Sequence, residues 1–389
     1  MALTYTLEQL LKSIKDYNAS DLHLNVNSEP KLRIDGKLTA LNLPKLTKED
    51  VVELCYSVLT EKQKASLEET LELDFSFEIP KVARFRANYY FERENLAAAF
   101  RIIPERPLTL DELNAPEIFK RIIKREKGLI LVTGPTGSGK STTLYASLHE
   151  INSVDKKIIT VEDPVEYKLK GIQQVQVNPK VGLTFADALR SILRQDPDII
   201  MIGEIRDLET LEIAIKAAMT GHLVLSTLHT NDAVSAISRM LDMGADAFLV
   251  ATALIGVEAQ RLVKTICPYC KTTYKPADVY LDPVRNIIPK DSVFYKGKGC
   301  EKCNMTGYAG RTLITEVFLC DEELESMISK NKEKLELLHY LRGKDYKTMF
   351  YDGLIKALNG ITTLEEVYKV AKLWNIIKSH FCIRAIKRM

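Results

Sequence analysis

The stretch GPTGSGKS places Gly134, Pro135, Thr136, Gly137, Ser138, Gly139, Lys140 and Ser141 between an apolar run, GLILVT, and a segment of helical spacing that continues with Thr142. Glycines at 134, 137 and 139 let a backbone wrap closely round an anion, with amide N–H groups and a helix N-terminus turned toward it. A lysine closing such a loop can reach the outer phosphates of a nucleotide, and the serine after it can ligate magnesium. A strand before the loop and a helix after it are the context that gives GxxxxGK[ST] its meaning. The expected chemistry is binding of ATP with magnesium.

That chemistry also needs acids to hold the metal and direct water. The run PDIIMIGE ends in Glu204, where a metal-directing acid belongs at the carboxyl edge of a parallel sheet. TVEDPVEY ends another apolar run in Glu162, Asp163 and Glu166, with Pro164 turning the chain. One of these acids polarises water, or the cluster only forms the turn. Positive charge is needed as well. In VARFRANYY a period of two puts Arg84 and Arg86 on one strand face with Phe85 opposite, and AFRIIP adds Arg101. The alternative is a solvated strand face laced with salt bridges. Arg190 and Arg194, spaced i, i+4, share a helix face expected near Glu204.

A different chemistry is written in TICPYCK and KGCEKCNM. Cys267, Cys270, Cys300 and Cys303 form two CxxC pairs, each able to supply two soft ligands to a tetrahedral zinc. The pairs stand 29 residues apart, longer than usual for a zinc ribbon, but the span is polar and loop-rich. With all four positions filled by protein, the zinc folds a lobe and does no chemistry; redox-active thiols are the other reading.

These residues need elements to position them. The chain has 389 residues and a formal net charge of +2. That is room for two or three cores, with no basic field to steer nucleic acid, so no nucleic acid is expected as a partner. No apolar run is long enough to span a membrane and no secretory signal is present, which predicts a cytoplasmic protein. Four of seven cysteines sit in the CxxC pairs, as in a reduced compartment. Periodicity divides the chain into an α+β domain over 1–104, a proline-punctuated linker over 105–115, and an α/β core over 116–265 in which buried strands alternate with helices. A cysteine lobe over 266–312 and a helical region over 313–372 follow. The tail, 373–389, is basic and amphipathic; it suits a membrane-surface helix as well as it suits an appended end without function.

ASDLHL, GPTGSGKSTTLY, ITVEDPVEY, LRSILRQDPDIIMIGEIRDLET and TGHLVLSTLHTNDA together resemble, in order, the motifs of the bacterial ATPases that drive type II secretion and type IV pili. The resemblance runs from about residue 6 to about residue 371. It implies a PAS-like fold for the first domain and a homo-hexamer with a RecA-like core that hydrolyses ATP between two domains. It also implies a peripheral position at the inner membrane, against a polytopic platform protein that adds pilin subunits. By position it makes Lys140 and Ser141 phosphate and magnesium ligands, Glu166 the base, Glu204 the metal-directing acid and His222 with His229 a nucleotide-side pair. Arg84, Arg86 and Arg101 match arginines aimed at nucleotide. The cysteine lobe is similar to that of the extension and secretion branch, whereas the first hundred residues look like the compact retraction branch. A DNA translocase is the alternative of another class that the core permits.

Overall fold

The computed structural model describes residues 5–17, 19–34, 36–103, 106–344 and 346–373, so the tail expected over 373–389 lies, apart from Leu373, outside the described residues. The chain divides into two units between Arg106 and Pro107.

The first unit runs α1 (Leu7–Asp16), β1 (Asp21–Leu24), β2 (Lys31–Ile34), β3 (Lys37–Ala40), α2 (Lys48–Tyr56), α3 (Glu61–Thr70), β4 (Glu72–Ile79), β5 (Ala83–Glu92) and β6 (Asn95–Ile103). Each helix begins at a threonine, Thr6, Thr47 or Thr60, whose hydroxyl accepts the N–H three residues on while that residue's side chain caps the threonine's own N–H. The strands form one antiparallel sheet in the order β3-β2-β1-β6-β5-β4. In β5 the alternation is strict: Phe85, Ala87 and Tyr89 are fully buried, with Leu11, Ile14 and Phe100 in the same core. The intervening arginines are therefore left on the other face.

The second unit is built on α4 (Glu117–Ile122), β7 (Gly128–Thr133), α5 (Lys140–Ile151), β8 (Ile158–Glu162), β9 (Ile172–Gln176), α6 (Phe185–Ile192), β10 (Ile199–Ile202), α7 (Leu208–Met219) and β11 (Leu223–Leu228). Then come α8 (Ser235–Asp242), α9 (Ala247–Ala253), β12 (Leu254–Ile266), β13 (Lys271–Tyr274), α10 (Asp278–Leu281), β14 (Phe294–Gly297) and β15 (Tyr308–Leu319). Four helices close it: α11 (Glu322–Ser329), α12 (Lys334–Arg342), α13 (Met349–Leu358) and α14 (Leu364–Val370). Seven strands form one sheet in the order β15-β12-β7-β11-β10-β8-β9. All pairings are parallel except β12 with β15. Every residue of β7, β8, β10 and β11 is buried, as a parallel sheet with both faces covered requires. This is an α/β fold.

The span from 313, expected to be helical, opens as strand: β15 pairs with β12 from Tyr308 to Leu319. Helix α13 finishes its outer edge. The Asp352 carboxylate accepts the Thr315 N–H at 2.9 Å, and the Lys356 ammonium donates to the Leu313 carbonyl at 2.7 Å. Backbone groups that would otherwise template another strand are thereby satisfied.

Candidate phosphate and metal sites

The phosphate loop hangs between fully buried β7 and the N-terminus of α5, which has no side-chain cap, so its first amides stay available. Gly134 has φ of 150°, and a Cβ there would stand 2.4 Å from the Ser138 hydroxyl and 2.7 Å from the Gln260 carbonyl. No side chain fits that approach. Lys140 folds back, donating to the carbonyls of Gly134 at 3.0 Å and Pro135 at 3.2 Å. Burial lowers the pKa of this ammonium and the charge of Arg261 adds to the effect, against the opposing pull of Glu204. A group so placed gains from an incoming anion. Ser141 is exposed at the helix start, and Thr142 is half-buried beside it.

Parallel register brings the other groups to the same edge. Leu228 is level with Thr133, so the residue after β11, His229, and those after β10 emerge beside the loop. Glu204 accepts from Arg206 at 2.5 Å and lies 3.5 Å from His229 Nε2. Burial works to raise its pKa, but Arg206 and His229 outweigh burial and hold it below the ordinary carboxylate value. The segment is stitched in place by Thr227, whose hydroxyl donates to the Gly203 carbonyl at 2.8 Å.

Two expectations are corrected here. His222 and His229 flank β11, whose six residues separate them by about 20 Å at the usual strand rise. His222 sits at the amino edge, its Nδ1 2.9 Å from the Ala217 carbonyl, and lines a cleft with Arg125, Lys156 and Asp198. Within one chain it does not share a site with His229. The cation on Glu204 is Arg206, while Arg190 turns to Glu209 and Asp187, and Arg194 donates to the Arg190 carbonyl.

In the acid cluster, Glu162 is 3% exposed and already engaged. It accepts from the hydroxyls of Thr160 and Tyr145 and from Gln174 at 3.0 Å. Its lone pairs serve the fold, which argues against direct cofactor contact. The Tyr145 hydroxyl also accepts the Glu166 N–H at 3.1 Å and the Tyr167 N–H at 3.4 Å, so this phenol sets the turn that carries Glu166. Asp163 is exposed and begins that turn with a cis peptide bond to Pro164.

Sequence reasoning missed Tyr145, Arg206 and Gln260. Gln260 lies fully buried on β12; its amide donates to the Ser138 carbonyl at 2.8 Å and its carbonyl accepts from the Thr143 hydroxyl at 2.9 Å. A signal existed: Val257, Ala259 and Val263 recur with period two through LIGVEAQRLVKTI, marking a strand.

In the first unit, Arg84, Arg86 and Arg101 share one sheet face, Arg86 being directly level with Arg101. Arg86 makes two bonds to Asp74, at 3.0 and 2.6 Å, and Arg101 donates to Asp21 at 2.8 Å. Nη1 of Arg84 is buried without a hydrogen-bond partner among the described residues.

The four cysteines converge. Their sulfurs lie within 4.8 Å of one another, with Cys267–Cys300, Cys270–Cys303 and Cys300–Cys303 at 3.9, 3.8 and 3.7 Å. A tetrahedron of sulfurs about 2.3 Å from zinc has edges of about 3.8 Å. The long spacing is absorbed by the hairpin of β13 and β14, which sets Lys271 opposite Gly297 and so brings the two knuckles together. Backbone N–H groups of Cys300 and Gly307 donate to the Cys303 sulfur at 3.2 and 3.3 Å, favouring thiolate. The donor set fits zinc.

The family model described as "Type II/IV secretion system protein" matches residues 2–369. The chain is 52% identical over 255 residues, 65% of its own length and 50% of the relative's, to the type II secretion system ATPase E of Vibrio cholerae. It is 52% identical over 253 residues to the type IV pilus assembly ATPase PilB of Thermus thermophilus, covering 64% of this chain and 28% of that one. The chain thus spans about half the length, or less, of these curated relatives. Among solved structures, the pilus retraction motor PilT with bound ADP superposes with a TM-score of 0.76 at 34% identity, over 99% of this chain and 100% of that one. The DotB ATPase of Legionella pneumophila, TM-score 0.72 at 22% identity, shares the fold over 95% of this chain and 97% of its own.

Proposed function

Because this chain belongs to the type II/IV secretion system protein family, we propose that it is the magnesium-dependent ATPase subunit of a machine that adds pilin or pseudopilin subunits to a filament. The observation that carries the reading is the convergence of Lys140, Glu204 and His229 at the carboxyl edge of one parallel sheet. Lys140 would leave the carbonyls of Gly134 and Pro135 for the outer phosphates. Ser141 and Glu204 would hold magnesium, which when bound neutralises phosphate charge. Glu166 would orient water from the turn set by Tyr145, and His229 would report the terminal phosphate. Arg84, Arg86 and Arg101 would supply positive charge to the transferring phosphoryl group. Zinc on Cys267, Cys270, Cys300 and Cys303 would hold the lobe together.

The subunits would close as a homo-hexamer at the cytoplasmic face of the inner membrane, acting on a polytopic platform protein. No helix among the described residues is long and apolar enough to cross a membrane. The four-cysteine lobe, and identity near 50% to secretion and assembly ATPases, support filament extension. Retraction is the second reading, favoured by the likeness to a retraction motor over 99% of the chain. Counting surface filaments on cells lacking the gene decides between them. Bald cells agree with extension; an excess of filaments overturns it in favour of retraction.

A further inference from the structure

Strand β12 touches both loops of the phosphate site. Gln260 braces the phosphate loop through Ser138, and the next residue, Arg261, points to the opposite face of the sheet. There the Arg261 guanidinium donates through Nη1 to the Gln260 carbonyl at 2.9 Å and through Nη2 to the Asn231 carbonyl at 2.9 Å. Asn231 lies two residues beyond His229. One planar cation therefore bridges the strand under the first loop and the loop that carries the histidine.

Its partners are unusual for a half-buried arginine, because both of those bonds end on neutral carbonyls. The acids Glu316 and Asp232 act on it only through their longer-range field. Asp232 is already held by Lys334 at 2.7 Å. Glu316 accepts the Ala233 N–H at 2.9 Å and the Met349 N–H at 3.0 Å. Glu316 is level with Ala259 on β15 and so faces the same side as Arg261. The β12–β15 pair thus pins the loop after His229 at two points, Asn231 and Ala233. The positive charge of Arg261 is also felt at Lys140.

We propose that Arg261 is a positioning residue for phosphate hydrolysis: it locks the His229 loop to the strand that braces the phosphate loop, so that phosphate held at Lys140 and the placement of His229 are set together. This rests on the ATPase reading above. The proposed role is distinct from binding: Nη1 and Nη2 of Arg261 hold the carbonyls of Gln260 and Asn231, and the phosphate is left to the loop. Displacing His229 by about an ångström should slow turnover about tenfold to a hundredfold.

The test uses the full chain with Arg261→Gln, Arg261→Lys, His229→Ala and the double variant Arg261→Gln/His229→Ala. Phosphate release from MgATP gives kcat and KM; a fluorescent ADP analogue gives affinity; thermal melting reports folding. The expected result is a fall in kcat for Arg261→Gln with KM and ADP affinity within about threefold. Arg261→Lys should recover part of the rate, and the double variant should be no slower than His229→Ala alone. Losses that multiply in the double variant overturn the proposal, as do a kcat within twofold of the parent or a parallel loss of ADP affinity and melting temperature. A parent protein that releases no phosphate overturns the ATPase reading, and this inference with it.

Discussion

The Gln260 side chain reaches from β12 to the underside of the phosphate loop and donates to the Ser138 carbonyl at 2.8 Å. The same amide accepts from Thr143 at the start of α5, so the two ends of the anion cradle are tied to one buried residue. Gln260→Leu leaves both partners unsatisfied in a dry site, at a cost of about 1–3 kcal/mol for each buried group. We expect a lower melting temperature and ADP affinity weakened about tenfold or more. Calorimetric titration of the variant checks this, and unchanged affinity contradicts the brace.

Glu162 and Glu166 should part company on mutation. Glu162 is buried under three donors, so Glu162→Ala removes the acceptor that Thr160, Tyr145 and Gln174 share and should lower the melting temperature along with activity. Glu166→Gln should keep the melting temperature within about 2 °C and reduce turnover about a hundredfold or more. Melting curves and phosphate release on both variants settle the point. A stable, inactive Glu162→Ala beside an active Glu166→Gln would move the base to Glu162.

Zinc should be present at one ion per chain, measured by elemental analysis of the purified protein. The four sulfurs lie within 4.8 Å of one another, with three of their separations at 3.9, 3.8 and 3.7 Å, so Cys300→Ser should lose the metal and lower the melting temperature. Metal-free protein with an unchanged melting curve would contradict a structural zinc.

Glu258 predicts a pH dependence. It is fully buried on β12, and neither oxygen has a hydrogen-bond partner among the described residues. Burial raises its pKa to about 8, with Lys356 pulling down and Asp352 pushing up. The folded value lies above the unfolded one, near 4.5, so the folded state holds the proton more tightly. Its stabilising contribution is whole below pH ~4.5 and is lost as pH rises through about 8. Glu258→Gln removes that loss. Its stability relative to the parent should climb by several kcal/mol at most between pH 5 and pH 8, since each tenfold gain in proton affinity on folding corresponds to about 1.4 kcal/mol. Denaturation at both pH values measures it, and a constant difference refutes it.

How far the sequence alone reaches follows from which interactions are local. The phosphate loop is readable because its glycines answer a constraint within eight residues, and β7, β8, β10 and β11 because burial on both faces makes them apolar throughout. The cysteine pairs are readable from the chemistry of their sulfurs. Strand β12 is harder: Glu258, Gln260 and Arg261 interrupt its apolar pattern, and the partners that explain Gln260, Ser138 and Thr143, lie more than 110 residues away. Strand β15 carries Thr312, Thr315 and Glu316 for the same reason, its edge being satisfied by Asp352 and Lys356 from a later helix. The two histidines sit in one motif, yet only the three-dimensional course of β11 shows that they leave it at opposite ends.

Release of inorganic phosphate by the full chain with magnesium and ATP, parent against Lys140→Ala, measures whether this phosphate loop hydrolyses ATP. The expected result is turnover by the parent, abolished by chelating magnesium and reduced about a thousandfold or more in the variant. Equal rates in the two proteins, or none in the parent, would contradict it.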